Sequence, residues 1–229
     1  MLVKSKGNMY PWVTHMHSHL GGECPHKCSY CYVQKNRFGV PVKYQGELRL
    51  ITSELLVNYG TGKTIFIEHM NDLFANDVPQ RYIRLILGHC RDYPDNSYVF
   101  QTKNPQRVVD FADEMPEDSM LGVTIETNRS IKKFSKAPDI AERVNGLDSL
   151  GWHNGLFLTI EPIMRFDLYD FLCVIRKVDP EFVNIGADSK GSNLPEPEAD
   201  EIMLLIEGIE KQCIVVKEKH NLDRLLRRR

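Results

Sequence analysis

Short runs of β-branched and aromatic residues, bounded by turn formers, alternate along this chain with stretches of helical periodicity. That alternation constrains the fold more than any other feature, because strands buried on both faces take this form when helices join parallel strands. Strands are expected at 11–17, 64–69, 97–102, 120–126, 155–160, 182–185 and 213–217. Helices are expected at 49–59, 79–93, 106–115, 140–150, 168–178 and 197–211, several opening with Pro, Asp or Ser in the first turn. A length of 229 residues suits one large α/β unit, and 42% apolar with 26% charged residues is enough to build a core. The reading is one domain over 1–229, with a short basic tail from about 217 to 229.

No apolar run approaches the roughly 20 residues that cross a bilayer, and the opening MLVKSKGNMY lacks the apolar core of a signal peptide. A cytoplasmic chain without a membrane partner is therefore expected. With 29 basic and 31 acidic side chains the net charge is −2, which argues against coating nucleic acid through bulk electrostatics. The tail differs, since six basic and two acidic side chains from Lys217 onward make a local +4. A solvated terminal helix is the simpler account, and a phosphate-contacting patch the alternative.

Three of the six cysteines fall within eight residues, as Cys24-Pro25-His26-Lys27-Cys28-Ser29-Tyr30-Cys31. Scattered partners at 90, 173 and 213 and the lack of a secretion signal oppose a disulfide framework, so the cluster reads as a ligand set. A loop of this spacing can place three thiolates on a cubane iron–sulfur cluster and leave its fourth iron open. A structural zinc site would need a fourth ligand, for which His15, His17, His19 and His26 are candidates.

With Tyr30 immediately before the last cysteine, the C-x3-C-x-aromatic-C pattern resembles the signature of the radical SAM superfamily. The resemblance implies a partial (β/α)6 TIM-like barrel over roughly 11–217 and a [4Fe-4S] cluster on Cys24, Cys28 and Cys31. It also implies S-adenosyl-L-methionine on the open iron, cleaved reductively to a 5′-deoxyadenosyl radical, and an electron donor such as flavodoxin or ferredoxin. The cofactors carry that chemistry and the protein positions it.

Active sites of such barrels collect where strands end. After the second strand, Glu68-His69-Met70-Asn71-Asp72 stands where the superfamily commonly has a Gly-Gly-Glu-type turn, and Asn71 and Asp72 would supply the acceptors for the methionine amino group. Lys103 would pair with the methionine carboxylate. Thr124, Glu126 and Asn128 alternate to one side of an extended chain, which would aim a carboxylate at ribose hydroxyls. Glu161 and Asp188 end the next two strands at the same rim, each with a capping role as the plain alternative. The run Lys217 to His220 is better read as a solvated face than as a ligand set.

The Thr-Lys-Asn-Pro, Ile-Glu-Pro and terminal Lys-Glu segments look like phage-associated radical SAM-like proteins related to spore photoproduct lyase, which suggests a nucleotide or nucleic-acid substrate. The competing reading is a nucleic-acid-binding protein with a structural zinc or iron–sulfur clip and no radical chemistry. Gly60-Thr61-Gly62-Lys63-Thr64 is a turn and not a phosphate loop, because Val57 replaces the first glycine and a strand follows. His15, His17 and His19 share one face of an extended segment and are expected to line the barrel mouth, with a metal site of their own the weaker alternative. Cys90, Cys173 and Cys213 are expected to be buried as small hydrophobes.

Overall fold

The computed structural model describes residues 1–6, 9–151 and 155–227. Eight strands form the main sheet: β1 (Val3–Lys4), β2 (His15–His17), β5 (Thr64–Ile67), β6 (Ser97–Thr102), β7 (Ser119–Thr124), β8 (Leu156–Ile160), β9 (Phe182–Ile185) and β10 (Val215–Glu218), hydrogen-bonded in that order. Every pairing from β2 to β10 is parallel, and only β1 runs antiparallel, against β2. Strands β3 (Leu20–Gly21) and β4 (Arg49–Leu50) make a separate small ribbon. The helices are α1 (Gln80–Arg91), α2 (Ile140–Leu150), α3 (Leu168–Val178), α4 (Ala199–Glu210) and the short α5 (Asp223–Leu226). This is the expected α/β alternation with a parallel sheet.

Side-chain parity divides the strands into two faces. Ile65, Ile67, Tyr98, Phe100, Leu121, Val123, Leu158, Val183 and Ile185 point outward into the core shared with the helices. Met16, Phe66, Val99, Phe157 and Phe182 point inward, where Tyr10 and Val13 close over them. Trp12 stacks on Tyr10 with ring centroids 5.2 Å apart and meets Phe157 and Phe182 edge-on. Residues 11 and 12 therefore form a turn that plugs the barrel, and the first inner strand is limited to β2. Gly122 makes room for the Phe157 ring, since a Cβ there would lie 2.3 Å from it.

Two expected helices differ. Residues 49–59 form β4 followed by 3-10 turns at Thr52–Leu56 that bury none of their residues, so no apolar stripe supports an α-helix. Pro105–Glu114 is likewise a chain of 3-10 turns, although it buries Val108 and Phe111 as the periodicity predicts. In α2 a capping box of Asp139 and Glu142 opens the helix and Gly151, at φ 58°, closes it. Cys90 is buried in α1 as expected, but Cys173 and Cys213 are exposed, one on the outer face of α3 and one at a left-handed turn before β10. Gly60 and Gly62 both have positive φ, consistent with the turn reading. Among the described residues no helix is long and apolar enough to cross a membrane.

Candidate active site

A cavity of about 590 Å³ opens at the C-terminal ends of the parallel strands. Cys24, Cys28 and Cys31 all face it, together with Tyr30, Asn71, Asp72, Lys103, Thr124 and Glu161. They reach the rim from the cysteine loop and from the ends of β5, β6, β7 and β8, which is why residues so far apart in sequence converge.

The cysteine loop is fastened from both sides. Ser29 N–H donates to the Phe134 carbonyl at 2.7 Å and Lys136 N–H to the His26 carbonyl at 2.7 Å. Upstream, Gly22 sits at φ 85° with the Glu47 carbonyl so close that any Cβ would collide with it. Burial, then the Asp72 carboxylate and the two neighbouring cysteines, push the Cys24 thiol up to about 12. A thiolate at Cys24 therefore needs a cation beside it to stabilise it. Among the described residues, the one trio of candidate ligands with donor atoms within 4.8 Å of one another is His17, His19 and His89.

Asp72 is buried and committed to the scaffold. Its carboxylate accepts from His26 Nε2 at 2.7 Å, Thr102 Oγ1 at 2.8 Å and the backbone N–H groups of Lys103 at 2.7 Å and Phe74 at 3.0 Å. Burial alone would raise this carboxyl, but His26 and the donated hydrogen bonds hold it below its ordinary value. Asn71 differs: its Nδ2 donates to the Gly22 carbonyl at 3.1 Å, while its buried Oδ1 has no partner among the described residues. An acceptor buried without a donor beside a cavity suits a ligand N–H.

Glu126 and Asn128 lie outside the cavity lining. The strand stops at Thr124, so the alternation expected to aim both side chains at ribose ends there. Glu126 is fully buried between Arg143 Nη1 of α2, at 2.9 Å, and Lys103 Nζ, and it accepts from Tyr30 Oη at 2.5 Å. Burial would raise its carboxyl, but Arg143 and then Lys103 hold it at about 2. Asn128 accepts from the Asp167 backbone N–H at 2.9 Å, at the start of α3. Thr124 does face the cavity, with Oγ1 accepting from Gln101 Nε2 at 3.0 Å.

Glu161 reaches the rim as expected and is bonded to Lys219 Nζ at 2.6 Å and Asn221 Nδ2 at 2.8 Å. Lys219 turns inward over the Tyr10 ring, 4.8 Å from its centroid, so the segment read as a solvated face contributes to the site. Only the short reach from β10 to the rim hinted at that. Asp188 also borders the cavity and accepts from the Lys190 N–H at 2.9 Å. Gln101 and Thr159 line the interior unpredicted, because their strand-facing parity is visible only once the register is known, and Tyr10 joins them from the segment before β2. In the basic tail Arg224 pairs with Glu196, and residues 228 and 229 lie outside the described residues. His17 and His19 point away from the mouth, to the outer face behind β2, where they meet Tyr59 and His89. The His15 ring meets its neighbour Thr14, with Nδ1 2.9 Å from Oγ1.

Residues 15–164 match the model of a family described as protein of unknown function (DUF5131). The chain belongs to this family. No curated protein matches this DUF5131 member. Its backbone is similar to that of a spore photoproduct lyase mutant, with a TM-score of 0.65 at 12% identity over 94% of this chain and 80% of that one. It is also similar to a spore photoproduct lyase mutant with bound AdoMet and dinucleoside spore photoproduct, at 0.57 and 13% over 90% and 63%. A radical SAM methyltransferase from Sphaerobacter thermophilus gives 0.57 and 13% over 92% and 67%. At such identities the likeness is one of fold, and that fold is the TIM-like barrel of radical SAM enzymes.

Proposed function

We propose that this DUF5131 member is a radical SAM enzyme. One observation carries the reading: three cysteines of a C-x3-C-x2-C loop face one strand-end cavity beside an unpartnered buried amide oxygen. In this reading Cys24, Cys28 and Cys31 hold a [4Fe-4S] cluster and the cavity holds S-adenosyl-L-methionine. When bound, that pair supplies reductive cleavage to methionine and a 5′-deoxyadenosyl radical for hydrogen abstraction, given an electron from a flavodoxin- or ferredoxin-like donor.

The chain's own residues position the ligand. Asn71 Oδ1 accepts from the methionine amino group, and the Lys103 ammonium, braced by Glu126, faces its carboxylate. Tyr30 is locked to Glu126 and keeps the last turn of the cysteine loop against the barrel. Glu161 and Lys219 form the far wall with Thr124 and Thr159. A nucleotide or nucleic-acid substrate is supported by the phage-associated sequence resemblance and by the dinucleoside carried by one structure of similar fold. A second cleft of about 650 Å³ shares Asp188 and Ser189 with the cavity and offers such a substrate a way in.

Anaerobic reconstitution tests the reading. The expected result is about four irons per chain, broad absorption near about 400 nm, and methionine with 5′-deoxyadenosine on reduction. The Cys24→Ala/Cys28→Ala/Cys31→Ala variant loses all three signals. Iron content equal in that variant and wild type overturns the assignment, and a zinc-only protein binding nucleic acid without nucleoside release establishes the clip reading instead.

A further inference from the structure

Behind β2, on the face away from the cavity, four polar side chains are packed together in the core. His17, His19 and Tyr59 are at most 1% exposed and His89 of α1 is 5% exposed. One donor nitrogen from each histidine lies within 4.8 Å of the other two.

Their outer nitrogens are all committed as donors. His17 Nε2 meets Glu54 Oε2 at 2.9 Å, His19 Nδ1 meets Glu68 Oε1 at 3.0 Å, and His89 Nε2 meets the Val57 carbonyl at 2.9 Å. Carboxylates and carbonyls only accept, so each of these ring nitrogens carries its hydrogen. A neutral imidazole then presents a lone pair from its other nitrogen, and all three remaining nitrogens point inward. His19 Nε2 and His89 Nδ1 lie 2.8 Å apart, and Tyr59 Oη lies 2.5 Å from His17 Nδ1 and 3.1 Å from His19 Nε2. The phenol has one proton to give, against three lone pairs. Two facing acceptors without a donor are repulsive unless a positive charge sits between them.

We propose that His17, His19 and His89 ligate a buried mononuclear transition-metal ion of the zinc class, with the Tyr59 oxygen in the fourth position. Three imidazoles and an oxygen suit zinc or cobalt in tetrahedral geometry. The outer partners match the arrangement that fixes metal-bound histidines, with a carboxylate or carbonyl holding each ring's other N–H. Metal–nitrogen bonds of about 2.0–2.1 Å set ligand nitrogens about 3.3 Å apart, so binding separates His19 from His89 by roughly half an ångström. The site is closed and far from the cysteine loop's ligands in character, so its role is structural. It ties β2, the 3-10 turns at Thr52–Leu56 and α1 together, and through Glu68 it reaches the backbone N–H groups of His19 and Leu20 beside the cavity.

Metal analysis of full-length Cys24→Ala/Cys28→Ala/Cys31→Ala protein from zinc- or cobalt-supplemented medium tests this without a competing thiolate site. The expected result is about one zinc or cobalt per chain surviving a chelator wash. X-ray absorption should show light scatterers at about 2.0–2.1 Å with no sulfur at about 2.3 Å. The cobalt form should show visible d–d bands without thiolate charge transfer. His89→Gln, checked as folded by circular dichroism, should retain at least tenfold less metal. Less than about a tenth of an equivalent in the triple-cysteine variant, a sulfur shell, or full metal in folded His89→Gln overturns the proposal. If the triple-cysteine variant fails to fold, His89→Gln is compared with wild type, both aerobically purified and stripped of cluster, and equal zinc or cobalt retained by the two folded proteins overturns the proposal.

Discussion

Arg143→Met isolates the pair on which the site's interior rests. The guanidinium is fully buried, donates from Nη1 to Glu126 Oε2 at 2.9 Å and the Thr124 carbonyl at 2.6 Å, and from Nε to the Pro138 carbonyl at 2.8 Å. Methionine keeps most of the hydrocarbon bulk and deletes the charge. Removing one partner of a buried pair costs about 3–5 kcal/mol, because the other charge stays behind without compensation. On a chain of this size that is a fall in Tm of roughly 6–20 °C. The pH dependence gives a second handle. Glu126 is held at about 2 in the folded chain against 4.5 ordinarily, so its contribution is complete above about pH 4.5 and is lost as pH falls toward about 2. At about 1.4 kcal/mol per unit this is on the order of 3 kcal/mol. In the variant the carboxyl titrates higher, so the stability gap between the two proteins narrows on acidification. Urea unfolding followed by circular dichroism at pH 7 and pH 3.5 measures both quantities. The double variant Glu126→Gln/Arg143→Met should be more stable than Arg143→Met at pH 7 by about 1–2 kcal/mol, the coupling expected of contacting residues. A loss below about 1 kcal/mol at pH 7, or a gap that widens in acid, refutes the reasoning.

Other substitutions probe the barrel and its rim. Gly122→Val places a side chain where a Cβ alone would lie 2.3 Å from Phe157, so a thermal melt should show a loss of about 1–3 kcal/mol or more, and an unchanged Tm contradicts the packed interior. Asp72→Asn weakens the acceptor that holds His26 and the Lys103 backbone, so reconstituted iron should fall severalfold, and a full complement would show that the cysteine loop does not depend on it. Lys219→Met removes the 2.6 Å contact to Glu161 at the far wall. Under the proposed function, cofactor cleavage falls about tenfold, the scale of one charged hydrogen bond, while iron content is unchanged. Equal rates in both proteins exclude a role for that wall.

The elements legible in sequence are those whose own residues decide them. Residues 97–102, 182–185, 140–150 and 168–178 carry complete periodic patterns and fold as β6, β9, α2 and α3 with those limits. Residues 49–59 do not, since Glu54 is fixed by His17 and Lys43 through the tertiary fold, and no local pattern announces a 3-10 turn. The cysteine loop is readable because its three cysteines fall within eight residues. Glu126 is not, because its partner lies in a helix 17 residues on and the strand ends two residues before it. Alternation places His15 and His17 on one face of β2, and the His19 ring, just beyond the strand, meets that of His17 with centroids 4.4 Å apart. Which face depends on Met16 pointing inward toward Phe66, and that register is a property of the sheet.

The carboxylates at the strand ends share a use that their positions alone would not suggest. Glu68, at φ 59°, accepts from the backbone N–H groups of His19 and Leu20. Asp72 gathers His26 and Lys103, Glu126 gathers Arg143, Lys103 and Tyr30, and Glu161 gathers Lys219 and Asn221. Each fixes a loop or a cation that borders the cavity. The lining carries charges of both signs, with the lysines held against aromatic faces, Lys103 lying 5.3 Å from the Tyr30 ring and Lys219 4.8 Å from that of Tyr10. Holding a lysine between a buried carboxylate and an aromatic face costs rotamer freedom in advance, so less is lost when an anion binds. A cavity lined by both signs suits a ligand that carries a carboxylate together with an ammonium, with the neutral acceptor Asn71 Oδ1 left to receive an amino group. An amino-acid head group displays that pairing of charges, which is why the scaffold carboxylates, and not ligand-binding ones, make the stronger case for the proposed cofactor.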